Sequence, residues 1–183
     1  FSNTVDEVIK AEKIVSKTYL DNGIIPCVKH FPGHGDADCD SHKTLPLIDL
    51  TLDEMERTHI KPFKSCAKTA KMVMVAHLHC TCFEKDAIPT SLSKSAISYL
   101  RNNLGFEGVI ISDDMIMNGV KKFGAAEACE MGIRAGLNMF IYRDSSAVEV
   151  IEEIYKKACS DFELAQKIEE SYEKIMKLKS QII

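Results

Sequence analysis

Hydrophobic positions along the chain follow two rhythms that take turns. Over residues 4–21, Val5, Val8, Ile9, Ala11, Ile14, Val15 and Tyr19 recur at three- and four-residue spacing, which predicts an amphipathic helix. Thr4 with Glu7 three residues on reads as a capping box, and Asn22-Gly23 as the stop. Residues 24–30, 71–78, 108–112 and 138–142 are instead short, unbroken apolar runs, predicted to be strands buried on both faces. Helical spacing returns over 52–69, 94–104, 124–135, 146–158 and 161–181. Thr51 and Ser93 stand as N-caps, Gly105 and Gly136 as stops. Strand, loop and helix thus alternate four times, the pattern of an α/β domain with a parallel sheet.

Polar residues gather where these strands end: Lys29 and His30, His77 and His79, Asp113 and Asp114, then Arg143. In an eight-stranded (β/α)₈ barrel such ends line the active site, and in a doubly wound sheet they flank a crevice. No G-x-G-x-x-G follows the first strand, so a dinucleotide has no support. Four units are half of what a barrel needs. An open four-stranded sheet and half of a barrel both fit the count.

The densest chemistry lies at residues 29–46, KHFPGHGDADCDSHKTLP. Pro32, Gly33 and Gly35 rule out a helix there, so it reads as a strand end opening into a polar loop. Asp36, Asp38 and Asp40 imitate the start of a calcium loop. Ser41 stands where the turn glycine should be and Leu47 where the bidentate acid should be, which argues against calcium. Zinc held by His34 and His42 is the remaining metal alternative.

Composition narrows the classes. At 183 residues the chain has the length of one domain, and its net charge of −4 offers no basic face for nucleic acid. No apolar run reaches the ~20 residues of a membrane span, and no signal peptide is visible. Seven cysteines without a C-x-x-C pair suggest reduced thiols and a cytoplasmic setting. His79, Cys80 and Cys82 lack a second cluster and are read as strand-end packing. No metal or organic cofactor is expected. Because the chain begins at Phe1, a fragment of a longer protein is expected.

Taken in order, five segments resemble glycoside hydrolase family 3. They are K-H-F-P-G-H-G at 29–35, D-S-H at 40–42, M-V-A-H at 74–77, P-T-S-L-S at 89–93 and L-G-F-x-G-V-I-I-S-D-D-M at 104–115. The likeness runs from about residue 1 to 143 and is nearest to bacterial β-N-acetylglucosaminidases of peptidoglycan recycling. The family's glucosidases share the first and last segments but lack D-S-H. Tyr99-Leu100-Arg101 and Asn103 depart from the family's usual pattern, away from the chemistry.

The resemblance implies that residues 1–183 are the C-terminal half of a (β/α)₈ catalytic barrel, with sugar-holding aspartate and arginine residues located before Phe1. It implies removal of terminal β-linked N-acetylglucosamine by a retaining double displacement, from an N-acetylglucosaminide or a peptidoglycan-derived sugar. Asp113 would be the nucleophile, and His42 oriented by Asp40 the acid and base. Lys29 and His30 would bond sugar hydroxyls. His77 is read as a further sugar contact, with a satisfied buried histidine as the alternative. A β-glucosidase, a phosphorolytic relative and an inactive half-barrel serving as a binding module stay open. A half-barrel leaves strand edges bare, so pairing with the other half or with a second copy is expected.

Overall fold

The computed structural model of the chain describes residues 2–35 and 45–181. Its first elements are α1 (Val5–Asp21), β1 (Cys27–Phe31), β2 (Leu47–Ile48), α2 (Leu52–Arg57), α3 (Ile60–Cys66), β3 (Met72–Val75) and β4 (His79–Cys80). They are followed by α4 (Lys94–Ser98), β5 (Val109–Asp114), α5 (Asn118–Lys121), α6 (Ala125–Ala135), β6 (Met139–Ile141), α7 (Ala147–Ala158) and α8 (Phe162–Lys179). β1, β3, β5 and β6 lie side by side in that order, and every pairing is parallel. The four predicted strands therefore form one sheet, as an α/β chain requires. The two-residue strands β2 and β4 pair with each other in a second, smaller parallel sheet that the apolar pattern does not announce.

Two clusters hold the layers together. Phe31, Val73, Val75 and Ile110 join Ile60, Phe63, Leu100 and Phe106 in the larger one. Leu92, Met115, Val120, Ile133, Ile154 and Leu164 form the other. Apolar area removed from water is the main stabilising contribution, at about 25 cal/mol per Å².

The predicted helix over 52–69 is two helices. Thr51 and Glu54 form the expected capping box, with Thr51 N donating to Glu54 Oε2 at 2.8 Å. Thr58 then ends α2, its hydroxyl donating to the Glu54 carbonyl at 2.8 Å. Pro62 completes the break, because its ring would strike the Thr58 carbonyl of a continuous helix and its nitrogen has no proton to give. In the first turn of a new helix neither matters. At α1 the expected Thr4 cap makes no side-chain bond, and Glu7 is bonded by Ser2 instead.

The helices next in sequence to the two outer strands bury little of their apolar faces. α1, which precedes β1, buries no residue, and Ile14 is 59% exposed. In α7, which follows β6, Val148, Ile151 and Tyr155 are all exposed.

Candidate active site

Both strands that carry predicted site residues are irregular at their carboxyl ends. Between Val28 and Phe31, β1 spends three steps against the two from Val73 to Val75 in β3. Between Ile111 and Asp114, β5 does the same against Met139 and Ile141 of β6. Each irregularity adds one residue to the strand, and such bulges turn side chains that a regular pleat would send elsewhere. The first contains Lys29 and His30, the second Ser112 and Asp113. Ser112 is fully buried, and its hydroxyl accepts the Ile141 N–H at 3.2 Å, which fastens the second bulge.

The two bulges bring His30 and Asp113 together. His30 Nε2 lies 3.7 Å from Asp113 Oδ2, and both side chains are partly open to solvent. The other carboxylate oxygen, Oδ1, accepts the Asp114 N–H at 2.8 Å. One oxygen is thus tied to backbone while the other lies towards His30. Burial pushes the His30 imidazole below its ordinary 6.5; nearby Asp113 opposes this, while Lys29, His34 and His77 add to it. The ring is therefore neutral at pH 7 and sits beyond hydrogen-bond reach of Asp113. The His34 ring stands edge-on to that of His30, centroids 5.8 Å apart. Lys29 is exposed at the same strand tip.

Asp114 plays a different part. Its Oδ1 accepts the Ile116 N–H at 3.2 Å and its Oδ2 accepts from Arg143 Nε at 2.9 Å. This is an Asx turn braced by Arg143, just past the end of β6. The next helix starts at Asn118, after Met117.

His77 lies behind this turn. It is fully buried, with Nε2 3.1 Å from the Asp114 carbonyl oxygen and Nδ1 2.7 Å from Ser91 Oγ. A carbonyl only accepts, so Nε2 carries the proton and Nδ1 accepts from the Ser91 hydroxyl. Burial depresses its pKa, against the pull of Asp113 and of the Asp113 and Asp114 carbonyls. With both nitrogens engaged and no exposed surface, the ring braces the Asp113–Asp114 turn, as the alternative reading of a satisfied buried histidine has it. Ser91, inside P-T-S-L-S, is its partner, and neither residue type nor spacing marks it as one. Thr90 beside it donates to the Ala76 carbonyl at 2.7 Å, pinning the same segment under β3.

Asp40 and His42 lie outside the described residues. Gly33, on the stem leading to them, has φ +123°, and a Cβ there would come 2.8 Å from His59 Cβ. His79 donates through Nε2 to the Glu84 carbonyl at 3.0 Å, and Cys80 is buried, so both serve packing. Among the described residues no three His, Cys, Asp or Glu side chains converge on a point that could hold a metal ion.

A carboxylate at one strand tip, with a lysine and a histidine at another, is the active-end arrangement of a (β/α) enzyme domain. Residues 1–178 match the glycosyl hydrolase family 3 N-terminal domain, and the chain belongs to that family. A β-hexosaminidase of Psychromonas ingrahamii is 28% identical over 180 residues, covering 96% of this chain and 53% of that protein. One of Neisseria gonorrhoeae is 32% identical over 143 residues, covering 77% and 39%. Among solved structures, the family 3 β-N-acetylglucosaminidase from Paenibacillus sp. superposes with a TM-score of 0.88 at 26% identity, over 98% of this chain and 35% of that one. The β-N-acetylglucosaminidase from Thermotoga maritima gives 0.77 at 32% identity, over 91% and 36%. The chain spans about half or less of the length of these relatives.

Proposed function

We propose that this chain carries the reacting half of a retaining β-N-acetylhexosaminidase that releases terminal β-linked N-acetylglucosamine. The observation that carries the proposal is the posture of Asp113, with Oδ1 fixed by the Asp114 N–H and Oδ2 turned towards His30. A carboxylate held rigidly at a strand tip loses little entropy on reaching an attacking position. The relatives' names supply the sugar.

In the first step Asp113 Oδ2 attacks the anomeric carbon, the glycosidic C–O bond breaks, and His42 protonates the departing oxygen. In the second, His42 takes a proton from water, whose oxygen displaces Asp113 from the sugar. Asp40 orients His42 and supports its charged form. Lys29 and His30 donate to sugar hydroxyls from the β1 bulge, with neutral His30 able both to give and to accept. His77 holds the Asp113–Asp114 turn from behind. The bare helix faces beside β1 and β6 are covered by further strand–helix units that complete the barrel. Amino-sugar turnover in a reducing, cytoplasmic setting fits the free cysteines.

The test uses the full-length protein with a chromogenic N-acetylglucosaminide and the matching glucoside, with and without phosphate. The expected outcome is faster hydrolysis of the N-acetylated substrate and free sugar as product whether or not phosphate is added. Preference for the glucoside, or a sugar phosphate as product, overturns it.

A further inference from the structure

The opposite end of the sheet holds a cleft of about 710 Å³ whose chemistry the sugar site does not use. It opens where β3 and β5 begin, at Lys71 and Gly108-Val109, whereas Asp113 sits at the far end of β5. The volume falls in the range of small-molecule sites.

Its charge is one-sided. Lys68 and Lys71 reach it from the turn between α3 and β3, and Lys174 and Lys177 from one face of α8. None of the four ammonium groups has an ion pair or hydrogen bond among the described residues, although the chain as a whole is acidic. Glu107 is the only carboxylate among the residues lining the cleft.

A second observation reinforces the first. Arg101 lies behind the cleft wall and spends its donors on neutral oxygens only: the carbonyls of Phe106 (2.9 Å) and Gly108 (2.6 Å) and Asn138 Oδ1 (2.7 Å). Among the described residues no carboxylate pairs with it, and burial pulls its pKa down to about 10. An uncompensated guanidinium in a poorly solvated wall projects positive potential into the space in front of it. The wall itself is bare backbone. A Cβ at Gly108 would meet the Lys71 carbonyl oxygen at 2.4 Å, so glycine there keeps Lys71 against the start of β5.

We propose that this cleft binds a small phosphorylated polyol, a sugar phosphate or a nucleotide, with the lysines on the phosphate and Glu107 and Gln181 on hydroxyl groups. Four cations lining one cleft over-match a single carboxylate anion but suit a phosphate dianion or a diphosphate. Glu107 would repel an anion that carried no hydrogen-bond donor.

Isothermal titration of the full chain at physiological salt, with glucose 6-phosphate, ADP, inorganic phosphate, glucose and adenosine, tests this. Saturable binding is expected for glucose 6-phosphate or ADP, and the tighter of the two identifies the carrier. Lys71→Gln with Lys174→Gln is expected to weaken that binding at least tenfold, and Lys71→Arg with Lys174→Arg to retain it, all four substitutions leaving thermal melting unchanged. Absence of saturable binding, binding unmoved in the glutamine pair, or inorganic phosphate bound as tightly as either carrier overturns the proposal.

Discussion

The buried imidazole of His77, just past the end of β3, reaches across to the Asp114 carbonyl, 3.1 Å from its Nε2, and so fixes the backbone next to the Asp113 carboxylate. Its other nitrogen takes the Ser91 hydroxyl. One ring therefore joins three separate segments of chain at the carboxyl end of the sheet.

Removing it has two separable consequences. His77→Ala leaves a cavity and an unpaired buried carbonyl and hydroxyl, a loss of about 3 kcal/mol by urea unfolding. Ser91→Ala loses one hydrogen bond and costs about 1–2 kcal/mol. In the full-length enzyme His77→Gln is expected to lower kcat more than it raises KM, because the residue positions the turn and touches no sugar. A KM effect with unchanged kcat would return His77 to the substrate.

Burial lowers the pKa of both His30 and His77 below 6.5. The unfolded chain therefore binds protons that the folded chain refuses, so stability falls as pH falls. It is full above about pH 6.5 and is lost progressively as pH drops through the window between the unfolded and the depressed folded values. Urea midpoints measured from pH 8 to pH 5 should decline, and less steeply in His77→Gln. A flat profile would contradict the burial of these rings.

Gly33 is predicted to resist substitution for two reasons at once. Alanine there meets a positive φ of 123° and the His59 side chain. Gly33→Ala should destabilise by about 1–3 kcal/mol. Adding His59→Gly, which removes the Cβ that an alanine at 33 would strike, should recover part of the steric cost and leave the backbone part, which a double-mutant cycle in urea resolves. Full additivity of the two changes would show that the His59 side chain and the stem do not meet.

Much of this was legible in the sequence, and the limits have physical causes. The four strands could be read because apolar runs buried on both faces leave an unbroken signal, and the Thr51–Glu54 box because capping is local. The split of 52–69 was missed although Pro62 announces it, because the apolar spacing carries on through the break. Lys29, His30 and Asp113 were identifiable and their strand ends were expected to share a site, but the close approach of His30 to Asp113 was not legible. It depends on two bulges, and a bulge is a property of paired strands, not of either one alone. His77 shows the opposite failure: its type and place suggest ligand binding, while its partners, Ser91 and the Asp114 carbonyl, lie 14 and 37 residues away.

Asp113→Asn keeps the shape of the side chain and the bond from the Asp114 N–H but removes the negative charge. Activity of the full-length enzyme should fall at least about 10³-fold with thermal melting little changed. Asp114→Asn, by comparison, weakens the brace to Arg143. It should cost well under 10³-fold, because Asp114 supports the turn and does not attack the sugar.

The most direct measurement is mass spectrometry of the full-length protein after reaction with a fluorinated N-acetylglucosaminyl donor, which forms the covalent intermediate faster than it breaks down. One added sugar mass is expected on the peptide containing residues 109–117, fragmenting to Asp113 and absent from Asp113→Asn. Label on any other residue, or turnover without label while Asp113→Asn stays active, would contradict the role given to that carboxylate.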